Sequence, residues 1–426
     1  MHLPIPIGLL ILLVAGTVGG LIAARLRQPV ILGYLLAGVA VGPYTPGPVA
    51  DVDQIRFLAE VGVALLLFVI GTESNFREAR KLSRVVVLGG ILQVGLTVLL
   101  GALIGRLLDL DLGGALFLGA MAAITSTTVL AKVLSDRNET ASLHGRIALG
   151  MSIVQDLMFI PMVLLLPTIA KAPGEFLPSL LLALAKTAGV FAATYILGTR
   201  LWPWLLDRVA RLQSRELLLL TTVSLALGSA LATNAIGISF ATGAFLAGIV
   251  IAGSRHREPA VAGVLPLRDL FAMVFFVTVG MLFDPRFVLR NPLAVLSIVL
   301  AIVVGKTLVS AAIVKGFGFN RQTALLTGLA LAQVGELSFV LARVSLEQGV
   351  IGQELLDLTV ASALVTIIVN ATLLDSTPPV LGWLARRTGF YALLKRPAAV
   401  TFSAGEVGTR EEERENREDQ PKEPPS

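Results

Sequence analysis

The chain is dominated by apolar runs of the length that a lipid bilayer demands. A helix needs about 20 apolar residues to cross the hydrocarbon core. Measured against that length, the sequence divides into thirteen candidate helices: 7–24, 29–43, 54–72, 84–106, 113–134, 143–168, 176–200, 215–233, 238–252, 267–283, 292–315, 321–347 and 354–376. In hydrocarbon every backbone N–H and C=O must be paired internally, which leaves helices or closed barrels. Runs this long and continuous select helices. Only 15% of the residues are charged and 55% are hydrophobic, against about 25% charged in a soluble domain. The reading is an all-α polytopic membrane protein with about thirteen spans. The first run is not expected to be a classical signal peptide, because it lacks a basic start and Arg25 and Arg27 follow it.

The loops give a direction. Arg25 and Arg27 follow the first segment, and Arg77, Arg80, Lys81 and Arg84 lie between the third and fourth. Lys132, Arg137 and Arg146 flank the next turn on that side. Arg200, Arg208, Arg211 and Arg215 follow the seventh segment, Arg255, Arg257 and Arg268 the ninth, and Lys315 and Arg321 the eleventh. The alternate loops carry few basic residues, Arg286 and Arg290 being the main departure. Basic loops stay in the cytoplasm, so the expectation is an N-terminus outside and a C-terminus inside, in a plasma membrane of the bacterial inner-membrane kind.

Several functions are disfavoured. With no cysteine and three scattered histidines (His2, His144, His256), the chain offers no cysteine-based or histidine-cluster metal site. No nucleophile–base set stands out, so neither an enzyme nor a cofactor is expected. The net charge of +5 reports membrane orientation rather than a nucleic-acid face.

Six segments, a connector and six more suggest an inverted repeat, about 7–168 and 215–376 with 176–200 as linker helix. The fifth member of each half is interrupted by polar residues. Thr125, Ser126, Thr127 and Thr128 break one, and Gln333 to Glu336 (with Gly335) break the other, each beginning twelve residues after the start of its segment. Matching interruptions in two halves are the best sequence pointer to a transporter site. A hydroxyl cluster alone is common and bonds back to its own helix; its symmetric partner is what gives it weight. The membrane domain is expected to span 1–377, stopped by Pro378 and Pro379. A basic interfacial segment 378–402 and a disordered charged tail 403–426 follow.

Two ionisable residues lie deep in apolar runs. Asp156 sits about 18 Å from the inner end of its segment, and Lys306 about 15 Å from the same face. Intramembrane ionisable residues usually mark ion paths, although a structural salt bridge uses the same pair. Asp156 is the candidate shared site for a monovalent cation and a proton, with Lys306 as its ion-pair partner. Gln155 offers an uncharged amide oxygen, and the hydroxyls of Thr125–Thr128 offer further ligands. Glu336, with Gln333, falls at the start of a half-helix, where a negative charge offsets the dipole. Gln93 is read as lining the path or bonding between helices, and Asn370 as an interhelical hydrogen bond.

Taken together, Thr125–Thr128, Gln155-Asp156 with Pro161 beyond it, Phe275–Met281, Lys306 and Gly328–Val340 resemble the membrane domain of monovalent cation:proton antiporters of the Kef and NapA type, over residues about 5–376. The resemblance implies two inverted six-helix repeats with crossed broken helices, a homodimer, and elevator-type movement exchanging a cation for protons at Asp156. The Gln-Asp pair leans to potassium, with sodium possible. Family members often carry glycine where this chain has Val334 and phenylalanine where it has Leu337. No nucleotide-binding domain follows within this chain, so gating through one is not carried over; a separate regulatory subunit remains a candidate partner. The alternatives are a ligand-gated cation channel and a sodium-coupled solute carrier on a similar scaffold.

Overall fold

The computed structural model describes residues 5–26, 28–45, 52–73, 84–171, 202–235, 240–252, 254–255 and 257–388, with positions 178, 181, 185 and 189. These residues are helical apart from short turns. The helices are α1 (Ile5–Arg25), α2 (Val30–Val41), α3 (Val52–Glu73), α4 (Arg84–Leu107), α5 (Leu112–Ala123), α6 (Thr127–Asp136), α7 (Leu143–Lys171), α8 (Trp202–Ala210) and α9 (Arg215–Ala235). They continue with α10 (Phe240–Ala252), α11 (Arg257–Leu282), α12 (Arg286–Arg290), α13 (Pro292–Leu300), α14 (Thr307–Gly316), α15 (Arg321–Ala330), α16 (Glu336–Glu347) and α17 (Gln353–Thr388). A π-helical stretch, Ala301–Lys306, joins α13 to α14 in one rod. Eight helices among the described residues are long and apolar enough to cross a bilayer, and Val30–Val41, Leu58–Thr72 and Phe240–Ala252 are shorter apolar helices. The protein is an integral membrane protein with multiple spans.

Most expected segments match an observed helix, and the departures have physical causes. The tenth segment starts at Arg257 rather than 267, because Pro266 is accommodated inside the helix. A proline keeps a helical φ and forfeits one hydrogen bond without forcing a stop. The same reason applies at the chain's end: α17 runs past Pro378 and Pro379 to Thr388. The basic stretch after the seventh segment contains the amphipathic α8, in which the Arg208 guanidinium lies over the Trp204 ring at 5.1 Å. The linker helix 176–200, apart from four isolated positions, and the tail 403–426 lie outside the described residues.

The helices sort into two bundles. One holds α1, α2, α3 and α8–α11; the other holds α4–α7 and α13–α17. Each is knitted by close backbone approaches at glycine. A Cβ on Gly71 would lie 2.2 Å from Phe245 O, and one on Gly248 2.0 Å from Phe68 O, so α3 and α10 touch backbone to backbone. In the second bundle Gly101 of α4 and Gly119 of α5 meet in the same way, the built Cβ of Gly101 reaching the Gly119 Cα at 2.3 Å. Small residues let membrane helices approach this closely, since lipid gives them no hydrophobic push. Between the bundles the contact is made mainly by larger apolar side chains, with hydrogen bonds from Gln353 Nε2 to Leu282 O at 2.9 Å and from Lys132 Nζ to Gln28 O at 3.3 Å. Leu66, Leu67, Phe245, Phe275, Phe276 and Val279 join Ile160, Val163, Phe339, Val340 and Val344 in one buried cluster. Phe276 meets Phe339 edge-on at 6.0 Å.

Gly248→Val should therefore separate α3 from α10 and destabilise the purified protein by about 1–3 kcal/mol or more, read as a lower melting temperature in detergent. Gly228→Ala, where a Cβ meets nothing within 4 Å, should leave it unchanged or raise it slightly.

Candidate ion site at two broken helices

The fifth and twelfth segments are broken where the polar residues stand. α5 ends at Ala123 and α6 begins at Thr127; α15 ends at Ala330 and α16 begins at Glu336. The two breaks lie against each other. The Gly335 N–H donates to Ile124 O at 3.1 Å, and a Cβ on Gly335 would fall 2.7 Å from the Thr125 carbonyl carbon. Any larger residue at 335 would force the two backbones apart.

Breaking a helix exposes N–H and C=O groups that lipid cannot satisfy, and almost every exposed group here has a named partner. The Thr125 N–H donates to Gln155 Oε1 at 2.8 Å. Ser126 caps α6, its Oγ accepting from the Val129 N–H at 3.2 Å. The Thr125 hydroxyl donates to Leu331 O at 3.1 Å. The Val334 N–H donates to Thr366 Oγ1 at 3.3 Å. Ser338 Oγ donates back to Met121 O at 2.8 Å, and Asn370 Nδ2 to Leu329 O at 2.6 Å. Gln333 Nε2 reaches Ser126 O at 3.4 Å, while its Oε1 has no hydrogen-bond partner.

The half-helix ends also carry partial charges of about half an elementary unit. Lys306 meets the negative ends. Its ammonium, fully buried, donates to Ile124 O at 3.1 Å and to Gln333 O at 3.0 Å. It leaves the π-helical stretch, a backbone irregularity frequent at functional sites, and the next residue, Thr307, packs its carbonyl against Gly328 of α15. Glu336 meets the positive ends. It opens α16, and its carboxylate accepts from Ser126 Oγ at 2.5 Å and from Thr128 Oγ1 at 3.2 Å, both at the start of α6. One carboxylate thus serves two helix N-termini, and one ammonium serves two carbonyl ends.

Asp156 lies in α7 beside this crossing, where its Oδ2 accepts from Thr127 Oγ1 at 3.0 Å. Ser126, Thr127 and Thr128 therefore span the two carboxylates, the outer pair bonding Glu336 and the middle one Asp156. Asp156, Glu336 and Thr127 are only partly buried and Thr128 is exposed, whereas Thr125, Ser126, Gln155, Lys306 and Gln333 are buried. The carboxylates face the open side of the crossing, and the ammonium and amides face its closed side.

All nine residues singled out in the sequence lie at or beside the crossing, but two stand differently from expectation. Lys306 has carbonyls as its hydrogen-bond partners, and Asp156 is not among them. The Gln155 oxygen is engaged by the Thr125 N–H rather than turned to an open position. Thr366 was missed as a supporting group, and Ser338 and Gly328, inside the stretch Gly328–Val340, were given no role of their own. A lone hydroxyl in a neighbouring helix was the signal for Thr366, and it is too common in sequence to stand out.

Lys306→Met keeps the length and removes the donors. Gln333 O then loses its ammonium donor and Ile124 O keeps only the Gly335 N–H; a buried carbonyl left without a partner costs roughly 1–3 kcal/mol, so this variant should melt measurably lower in detergent. Lys315→Met, on an exposed residue, should melt like the parent.

Comparison with known proteins agrees with this geometry. The model of the family described as "Sodium/hydrogen exchanger, transmembrane" matches residues 9–378. YbaL of Escherichia coli (strain K12) is 37% identical over 85% of this chain and 66% of its own length. K(+) efflux antiporter 4 of Arabidopsis thaliana is 35% identical over 78% of this chain and 57% of its own. The chain thus spans just under two thirds of one relative and little over half of the other. Among solved structures, the sodium proton antiporter MjNhaP1 of Methanocaldococcus jannaschii superposes with a TM-score of 0.63 at 18% identity, covering 91% of this chain and 98% of that one, which gives a shared fold. With the family model matched over residues 9–378, the chain that lays these two broken helices against each other is a member of the transmembrane sodium/hydrogen exchanger family.

Proposed function

We propose that the protein exchanges a monovalent cation, potassium in preference to sodium, for protons, with Asp156 as the shared site. The observation that carries this reading is a partly buried carboxylate within hydrogen-bonding reach of the α6 N-terminus. Its neighbours are a crossing whose other charges are already matched. A carboxylate in such a place is neutralised either by a proton or by a bare cation, and the two exclude each other. The name of the Arabidopsis relative supports potassium.

The cycle needs the loaded site to face each side in turn. The two bundles meet mainly through apolar side chains, which suits sliding of the bundle that holds Asp156 against the other once the hydrogen bonds of Gln353 to Leu282 O and Lys132 to Gln28 O are released. The two halves of the chain, each with its fifth segment broken, are inverted repeats in this reading, and the unit acts as a homodimer with its N-terminus outside. Lys306 takes part as a fixed charge: two carbonyls hold its proton, so only Asp156 reloads. One cation then trades for one proton, and the bundle crosses with the same net charge in both directions.

Reconstituted vesicles with an internal pH dye and a clamped potential test both parts. Wild type should acidify or alkalinise on addition of K+ in proportion to the gradient, and Asp156→Asn should lower the rate to that of empty vesicles. Normal exchange by Asp156→Asn would sink the assignment. A rate that follows the clamped voltage would sink the one-carboxylate cycle and bring Lys306 back as a second proton carrier.

A further inference from the structure

Gln155 stands next to Asp156 in sequence, and its amide oxygen is the obvious uncharged ligand for a cation at that carboxylate. The hydrogen bonds give that oxygen a different task. The Thr125 N–H is a donor by its chemistry, so the atom facing it at 2.8 Å is the Gln155 oxygen. The opposite end of the amide donates from Nε2 to Gln93 Oε1 at 2.7 Å. Gln93, on α4, is oriented in its turn: its Nε2 donates to Thr97 Oγ1 at 3.0 Å and lies 3.5 Å from Ala123 O, the last carbonyl of α5. Gln93, Gln155 and Thr97 are all buried. The relay runs in one direction, from the Thr125 amide through Gln155 and Gln93 to a hydroxyl and a carbonyl. Rotating the Gln155 amide by half a turn would set donor against donor at Thr125, and rotating Gln93 would set donor against donor at Gln155. A satisfied buried network of this kind fixes one arrangement.

We propose that Gln93 is a positioning residue that sets cation preference by holding the Gln155 oxygen on the Thr125 amide, and so keeps that oxygen away from the transported ion. The cation is then left with the Asp156 carboxylate and neighbouring hydroxyls, and pays its dehydration without an amide ligand. Take away the Gln93 acceptor, and the Gln155 amide is anchored at one end only. The single bond from the Thr125 N–H then competes alone with an ion at the carboxylate for the Gln155 oxygen, and when the oxygen turns to the ion it offers one more ligand, which favours the ion that holds its water more tightly. This inference rests on Asp156 being the exchange site.

The test compares Gln93→Leu, Gln155→Leu, the double variant and Gln93→Glu in proteoliposomes, with apparent KM for K+, Na+, Li+ and Rb+ read from the pH dye. Carrier amount is fixed by quantitation of the reconstituted band. Gln93→Leu should shift the ratio of apparent KM for K+ over Na+ toward Na+ by roughly threefold to tenfold, the range of one hydrogen bond's net worth. The pH profile, set by Asp156, should stay in place. Gln93→Glu, which when protonated has the same acceptor and one donor, should restore the wild-type ratio. In the Gln155→Leu background, Gln93→Leu should produce no further change, because the residue it acts through is gone. An unchanged ratio with a lower maximal rate, or effects of the two leucines that multiply, makes Gln93 a packing residue and overturns the proposal. If Gln93→Leu does not fold, Gln93→Met, of similar length and without the amide acceptor, must shift the ratio, and a constant ratio overturns the proposal equally. Normal exchange by Asp156→Asn is a separate result: it removes the underlying reading whatever Gln93 does.

Discussion

Backbone groups that leave a helix inside a membrane must find partners within the protein, because lipid offers none. Everything distinctive in this structure follows from that requirement being met twice at one point. The chain interrupts α5–α6 and α15–α16, and lays the gaps side by side. Each gap supplies part of what the other lacks: the Gly335 N–H serves Ile124 O, and the Thr125 hydroxyl serves Leu331 O. What remains is charge. Lys306 and Glu336 divide it, one at the carbonyl ends and the other at the N-termini. Were the two breaks far apart, each would need its own ammonium and its own carboxylate, at twice the cost in desolvation.

Much of this was legible in the chain. Long apolar runs set the class, and the two polar interruptions at matching distances located the crossing. Asp156, Lys306 and Glu336 stood out because a charge in an apolar run is rare. Partnership was not legible. Lys306 and Asp156 attract each other on paper, since opposite charges at similar depth invite pairing. In the structure the ammonium goes to two carbonyls, a solution visible only once the backbones are in place. Gln155 misled for the same reason: its sequence neighbour is Asp156, but its hydrogen-bond neighbours are Thr125 and Gln93. Helix ends at proline were misread too, as Pro266, Pro378 and Pro379 all lie inside helices. A proline forbids less than its reputation when the turn before it has other support.

The site is also asymmetric in its wetting. Amides and ammonium are sealed, while both carboxylates remain partly accessible. Burial of the ammonium and amides fixes their arrangement, because their partners are within the protein, while the carboxylates keep access to the open side. In the proposed cycle this separates the sealed polar network, which would set ion preference, from Asp156, which would carry the exchange.

The placement of glycine carries a mechanical consequence. Among the described residues, every approach in which a glycine's missing Cβ lets another chain segment come within 3 Å lies inside one bundle or the other, as at Gly19 with Gly33, Gly71 with Gly248 and Gly101 with Gly119. Across the seam the apolar contacts are those of larger side chains, Phe276 against Phe339 among them, and hydrogen bonds from Gln353 and Lys132 add polar ties. Interlocked backbones resist slipping, because a ridge must climb out of its notch. Branched and aromatic side chains on opposed faces can exchange neighbours by changing rotamer, whereas the hydrogen bonds from Gln353 Nε2 to Leu282 O and from Lys132 Nζ to Gln28 O would have to break. Each bundle is thus locked within itself by backbone contacts, and the two are joined by exchangeable side chains and pinned by polar ties, like a bolt held in its sleeve by pins.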